Sequence, residues 1–376
     1  MTFSISSAKL SKALELVRGA IGSKPSQAIL ECIKMRRDGD ELVLTATDLD
    51  ISLQHRIEVT FTSEPGGLTD CVAVPAGRFV DTCKSLGDMP IVFSVDSHFT
   101  ASMATDQGQY SWMGHDGQNF PQLPKLKEET TVTFTHQLLQ RAFRMTGFAA
   151  STDPVRPAMQ GILFEFRPQE VRAVTSDGHR LVKYTMKGFR HDTGLSVIVP
   201  MKALTLATRV DDAGMFPLSV DENHVYFALG KTRIFSNLIN HKFPKYEAVI
   251  PLDNNRVAEI NRQLLYDVVR RVGMYSSAAS SQIRFKLADD RLEVRAQDLE
   301  RASKAVETIE CDYKSDPIMI GFNSVYLEDV LKILDTENVK MSFGSPNRAG
   351  LVEPISTFED EHLVVLVMPV MLNTYI

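Results

Sequence analysis

The sequence predicts an α+β protein made of three tandem copies of one two-helix, antiparallel-sheet unit. Two observations carry this. One order of elements recurs with a period of about 125 residues, longer than solenoid repeats and suited to repeated domains. Each copy also alternates 3.6-period and 2-period apolar patterns in the sequence helix, strands, helix, strands. The Pro-containing tails NFPQLP at 119–124 and KFPKYEAVIP at 242–251 read as linkers, which places domains at 1–125, 126–252 and 253–376.

Each copy is expected to open with an amphipathic helix. Leu10, Leu14 and Val17 share one face after the capping candidates Ser6 and Ser7. Thr135 precedes Leu138, Leu139, Ala142 and Met145, and Ile260 leads to Leu264, Leu265, Val268, Val269 and Val272. Paired strand patterns follow, each meeting at a small-polar-Asp turn: Ala46-Thr47-Asp48, Thr175-Ser176-Asp177 and Ala296-Gln297-Asp298. An aspartate there bonds its own backbone and sets a bend. A further strand runs into a second helix, with Pro75 and Pro200 at the junctions and Asn323 or Ser324 as the third cap. More strands close each unit.

Composition excludes several classes. Four scattered cysteines without a C-x-x-C pair suit a reducing cytoplasm and argue against disulfide staples or a thiolate metal site. The N-terminus lacks a signal pattern, and the longest apolar run, Leu363 to Leu372, is about half a membrane span and contains Pro369. No phosphate-binding glycine loop, dinucleotide fingerprint, HExxH or GxSxG motif is present, so no cofactor is expected. Asp177-Gly178-His179-Arg180 admits a hydrolase reading, with Asp177 orienting His179 as a base. Against it, the other repeats place Asp at the same turn without a histidine, which favours a bend.

The strings ATDLDISL at 46–53, RPAMQGILFEF at 156–166, TSDGHRL at 175–181, FPKYEAVIP at 243–251 and LVMPVML at 366–372 occur in the order found in the bacterial sliding clamps. The chain resembles that family, the DNA polymerase III β subunit type, over Met1 to Leu372. The resemblance implies a non-catalytic processivity factor. Two crescents of three domains would close head to tail around double-stranded DNA, with helices inside and sheets outside. Its partners would be the DNA polymerase III catalytic subunit, an ATP-driven clamp loader, other polymerases and repair proteins carrying clamp-binding peptides, and a second copy of itself. A peptide scaffold of the same fold, or a divergent paralogue of the clamp, is the alternative.

Net charge is −6, which argues against nucleic acid until its distribution is considered. The six helix patterns together carry +8, leaving −14 for the rest of the chain. Charge is thus segregated onto the elements that the resemblance turns toward DNA. The DNA-facing candidates are Lys9, Lys12, Lys24, Arg78, Arg141, Arg144, Arg156, Lys202, Arg209, Arg270 and Arg271. A closed ring needs only weak phosphate contacts, and weak contacts permit sliding.

The resemblance also implies a pocket for short peptides, lined by Met159, Gly161, Ser176, Gly178, His179, Arg180, Leu181, Pro244, Tyr246, Val249, Val367, Met368, Pro369, Val370, Met371 and Leu372. Flexible methionines suit a site that adapts to several ligands. Met371 stands where the family commonly has arginine, Ala248 where a basic side chain is common, and Asn373–Ile376 extend the usual end. For ring closure the resemblance nominates Tyr110 and Trp112 on an edge strand, meeting Met274 and Tyr275 after the third repeat's first helix.

Overall fold

The computed structural model describes residues 1–127, 130–189, 194–211, 214–355 and 360–372. Among the described residues six α-helices are formed: α1 (Ser7–Arg18), α2 (Ala76–Ser85), α3 (His136–Thr146), α4 (Met201–Thr208), α5 (Arg262–Gly273) and α6 (Ser324–Ile333). The caps are local chemistry: Ser6 accepts from the Lys9 amide, Asn261 from Leu264, and Asn323 from Val325 and Tyr326.

The expectation that each copy opens with a helix needs correction. A strand comes first each time: Thr2–Ser6, Thr130–Thr135 and Arg256–Asn261. Ile260 belongs to the last of these, buried at its end. These runs are short and alternate only once or twice, so the helical period beside them dominates the sequence signal.

Compactness divides the chain into two units: Met1–Gln140 with Lys202–Leu238, and Arg141–Met201 with Ile239–Ile376. The first holds a nine-stranded antiparallel sheet in the order His115–Asp116, Cys71–Pro75, Cys32–Asp38, Glu41–Thr47, Ile51–Glu58, Thr232–Asn237, His224–Leu229, Met215–Val220, Thr130–Thr135. Its middle is a seam between repeats, where Leu53 faces Ile234 and His55 faces Thr232. A five-stranded sheet, Thr60–Phe61, Thr2–Ser6, Pro90–Val95, Thr100–Ala104, Gln109–Met113, lies in the same unit. In this smaller sheet Phe3 stacks on Phe93 at 5.1 Å, and Phe79 of α2 meets Phe93 at 5.7 Å, all three fully buried. α1 and α2 pack together and are bridged by Arg18–Asp81 (2.7 Å) and Lys84–Glu15 (2.9 Å).

The second unit repeats the plan. Its nine strands run Leu195–Pro200, Gly161–Phe166, Glu170–Ser176, Arg180–Lys187, Glu361–Val367, Gly350–Pro354, Asn338–Phe343, Arg256–Asn261, Asp312–Tyr313. The seam pairs Arg180 with Val367 and Tyr184 with Leu363. A four-stranded sheet, Ser303–Glu310, Arg291–Asp298, Gln282–Ala288, Ile318–Asn323, completes it. The middle repeat therefore lends four strands to each unit.

The tails read as linkers are anchored. Gly117–Asn119 and Tyr246–Val249 form 3-10 turns. Phe120 is buried against Cys32 and Ala73, and Tyr246 packs with Phe243 and Ile250 onto Leu163, Val174, Leu181 and Ile198. The extension Asn373–Ile376 lies outside the described residues.

Candidate functional site

The Asp turn is the same device in all three repeats. Asp48 Oδ1 accepts from the amides of Asp50 (3.1 Å) and Ile51 (2.8 Å), Asp177 Oδ1 from His179 and Arg180 (both 2.9 Å), and Asp298 Oδ1 from Glu300 (3.0 Å) and Arg301 (3.2 Å). Asp177 Oδ2 accepts from Arg180 Nε at 3.0 Å, so its carboxylate is spent on the bend. The His179 ring instead stacks on Tyr326, centroids 5.9 Å apart. This geometry removes the hydrolase reading, because the base–orienter bond it needs is replaced by backbone capping.

The pocket candidates converge in the second unit. Gly161, Ser176, Leu181 and Val367 are buried in one sheet, and the Met368 amide donates to the His179 carbonyl at 2.8 Å. Ser176 Oγ donates to the Arg180 carbonyl (2.9 Å) and accepts from the Gly178 amide (3.2 Å). A Cβ at Gly161 would lie 2.5 Å from the Val199 carbonyl, so only glycine fits there. Gly178 takes φ +90°, and a Cβ there would run into Arg156. Tyr246 is buried and donates to Glu165 at 2.5 Å; burial, then that carboxylate, pushes its phenol up to about 12. Pro244, Val249, His179, Met368 and Met371 are exposed around this floor, with Met371 the most open at 78 %. Met159 and Pro369 are half-buried. Val370 and Leu372 leave the sheet; the Val370 amide donates to the Gly321 carbonyl (2.9 Å), and Leu372 lies over Gly321.

Arg180 is not a free recognition group. It is buried, donating to Asp177, to Asp329 (2.6 Å) and to the Phe148 carbonyl (2.8 Å), with its guanidinium over Tyr326 at 4.7 Å. Tyr326, Asp329 and Phe148 escaped sequence reasoning because only long-range folding brings them to the turn. Arg156, expected on the DNA side, donates from Nη1 to the Asp177 carbonyl at 3.1 Å and sits on the pocket turn.

The basic candidates separate into two groups; Lys24 and Arg209 lie outside the helices. Arg141 binds Glu361 (2.6 Å), Arg144 pairs with Asp335, Lys202 with Asp48 (2.5 Å), Lys12 with Asp211 (2.5 Å) and Arg271 with Glu307 (2.6 Å). Lys9 donates to the Glu58 carbonyl at 3.0 Å. Among the described residues Lys24, Arg78, Arg209 and Arg270 make no ion pair within 4.0 Å and are exposed. The formal +8 overstates the available positive charge, and Arg141 in particular is a packed structural cation.

Two open sheet edges face solvent. Gln109–Met113 ends the five-stranded sheet, with Tyr110 and Met113 exposed; Trp112 is half-buried, 5.0 Å from Phe79. Ser303–Glu310 ends the four-stranded sheet, where Val306 is exposed; Met274 and Tyr275 are exposed just beyond α5. Val306 was missed because its strand alternates weakly. The described residues contain no group of three or more His, Cys, Asp or Glu able to hold a metal. All four cysteines are free, and burial pushes Cys32 up to about 11 and Cys83 to about 12.

Repeated helix-and-sheet units, continuous sheets across repeat seams and unfilled terminal edges define a clamp-type class of protein. Family models place the chain within that class: DNA polymerase III beta subunit, N-terminal domain over 1–124, central domain over 133–245 and C-terminal domain over 247–371. The beta sliding clamp of Pseudomonas putida is 30% identical over 368 residues, covering 97% of this chain and 99% of the relative. That of Escherichia coli K12 is 29% identical over 343 residues, 91% and 92% respectively. The Pseudomonas aeruginosa sliding clamp solved with griselimycin superposes with TM-score 0.91 at 28% identity, covering 99% of this chain and 100% of that one. The chain belongs to the DNA polymerase III beta subunit family.

Proposed function

We propose that two copies of the chain close head to tail around duplex DNA and hold a polymerase to it. Membership of the family makes the chain a non-catalytic processivity clamp. What supports ring closure is the strand count. Both seams within the chain lie in nine-stranded sheets, while the terminal sheets stop at five and four strands with open edges. Joining Gln109–Met113 of one copy to Ser303–Glu310 of another would make a third nine-stranded sheet and cover two exposed edges. Tyr110, Trp112, Met274 and Tyr275, with Val306, are the residues we assign to that joint. The repeats at 1–125, 126–252 and 253–376 are then three equivalent segments of the ring.

Sequence-independent contact with phosphates falls to Lys24, Arg78, Arg209 and Arg270, exposed candidates that make no ion pair within 4.0 Å among the described residues. The turn around His179, the Tyr246 segment and Met368–Leu372 form the peptide pocket, serving polymerases, repair proteins and an ATP-driven loader. Its exposed methionines support an adaptable apolar contact, and Met371 and Ala248 shift recognition from charge toward shape. Four free thiols, three of them buried, suit a cytoplasmic location.

The test is retention on nicked circular DNA before and after linearisation, with the loader and ATP supplied. Retention on circles followed by release on cutting is expected; equal retention on both forms rules out the topological mechanism.

A further inference from the structure

The two seams are built from equivalent positions, and one lacks a group the other has. Aligning the registers His55 opposite Thr232 and Tyr184 opposite Leu363 makes His55 the counterpart of Tyr184. Two residues back along the facing strand, Gly230 is the counterpart of Glu361. Lys12 of α1 corresponds to Arg141 of α3, each five residues past its helix start. At the second seam the Glu361 carboxylate accepts from Arg141 Nε at 2.6 and 2.7 Å and from Nη2 at 2.6 Å, beside the Tyr184 hydroxyl, and the remaining cavity is about 360 Å³. At the first seam there is no side chain at 230 and a smaller ring at 55. The cavity there is about 610 Å³.

Its walls differ by depth. Ala13, Leu16, Ile57 and Leu229 make an apolar floor, and Lys9, Lys12, Arg56, Arg209 and Lys231 outnumber Glu15, Glu58 and Asp211 around them. Lys12 pairs with Asp211, Lys231 with Glu58 and Arg56 with Asp38, whereas Lys9 and Arg209 make no ion pair within 4.0 Å among the described residues. We propose that the first-seam cavity binds a small organic carboxylate with an apolar body, its carboxylate taking the place that Glu361 fills at the second seam. A phosphodiester would satisfy the cations and leave the floor unmatched; an uncharged hydrophobe would do the reverse. The proposal does not depend on ring closure or DNA binding.

The test is calorimetric titration of the full chain with octanoate, octanamide and inorganic phosphate, and competition by a short DNA duplex. Octanoate should bind at least about tenfold more tightly than either control, since a charge-assisted hydrogen bond carries that much. Lys9→Gln combined with Arg209→Gln should weaken octanoate by roughly tenfold. Gly230→Asp, whose side chain tolerates the left-handed φ of +56° and supplies an internal carboxylate, should weaken it similarly. Equal binding of octanoate and octanamide, or undiminished octanoate binding by the Lys9/Arg209 variant, overturns the proposal. So does phosphate or duplex DNA binding as tightly as octanoate at the same residues, which would make the cavity a phosphate cradle. Should Gly230→Asp misfold, the Lys9/Arg209 variant and the amide comparison still decide the matter.

Discussion

The seam at Ile51–Glu58/Thr232–Asn237 and the seam at Arg180–Lys187/Glu361–Val367 share register logic, hydrogen bonding and strand direction, yet they are cemented differently. The second is closed by a guanidinium, a carboxylate and a phenol packed together, with Glu361 14 % and Arg141 26 % exposed. The first has the His55–Thr232 hydrogen bond at 2.8 Å and the Lys231–Glu58 pair, with Lys12–Asp211 at the surface, 78 % and 74 % exposed, beside a cavity. The backbone pairing is common to both joints, and the side chains there have diverged, toward a packed cluster at one and toward a cavity at the other.

Glu361 carries the largest expected effect. Its removal in Glu361→Ala takes from the partly buried Arg141 its carboxylate at 2.6 Å, leaving the more exposed Asp335 at 3.6 Å, and should cost about 2–4 kcal/mol in urea denaturation. A loss as small as that of a surface substitution would show that the buried triad contributes nothing special. Next comes the Asp turn at each seam, where the left-handed position is Leu49 (φ +79°) in the first and Gly178 in the second. Gly178→Ala should cost about 1–2 kcal/mol and dislodge Arg156, whereas Leu49→Gly should add about 0.5–1 kcal/mol. Both are read from unfolding midpoints, and equal signs would contradict the strain argument.

Acid should then sharpen the difference. Burial, reinforced by Lys231 and Lys12, holds His55 below its ordinary 6.5. The unfolded chain therefore takes up the proton first, so stability is undiminished above pH 6.5 and falls as pH drops from there toward the folded-state value. His55→Gln should flatten the stability profile over that window; an unchanged slope assigns the acid sensitivity elsewhere. The smallest effect belongs to Lys12→Ala, whose midpoint should stay within measurement error, because exposed pairs contribute little.

The three-fold repeat, the caps and the Asp turns were legible because they are local: a hydroxyl or amide three residues before an apolar face, an aspartate two residues before an amide. The destination of Arg141 was not. Its charge and its helix suggested a channel-facing cation, but Glu361 lies 220 residues away and reaches it only through sheet pairing. The partners of Arg156 and Arg180 were hidden for the same reason, since a sequence shows that a cation exists and not which carbonyl or carboxylate satisfies it. Tyr110 and Val306 show the converse case: the aromatic edge announced itself, while its four-stranded counterpart needed the sheet to be counted.

Sharing the middle repeat between two sheets has a consequence for synthesis. Strands Ile51–Glu58 and Thr232–Asn237 pair across about 180 residues, so the first nine-stranded sheet stays unfinished until Asn237 has left the ribosome. By then Arg141–Met201, which belongs to the other unit, has already emerged and must wait for Glu361–Val367. The nascent chain thus carries two unsealed edges at once, and the order of translation, rather than the repeat boundaries, decides which half of the molecule is exposed longest.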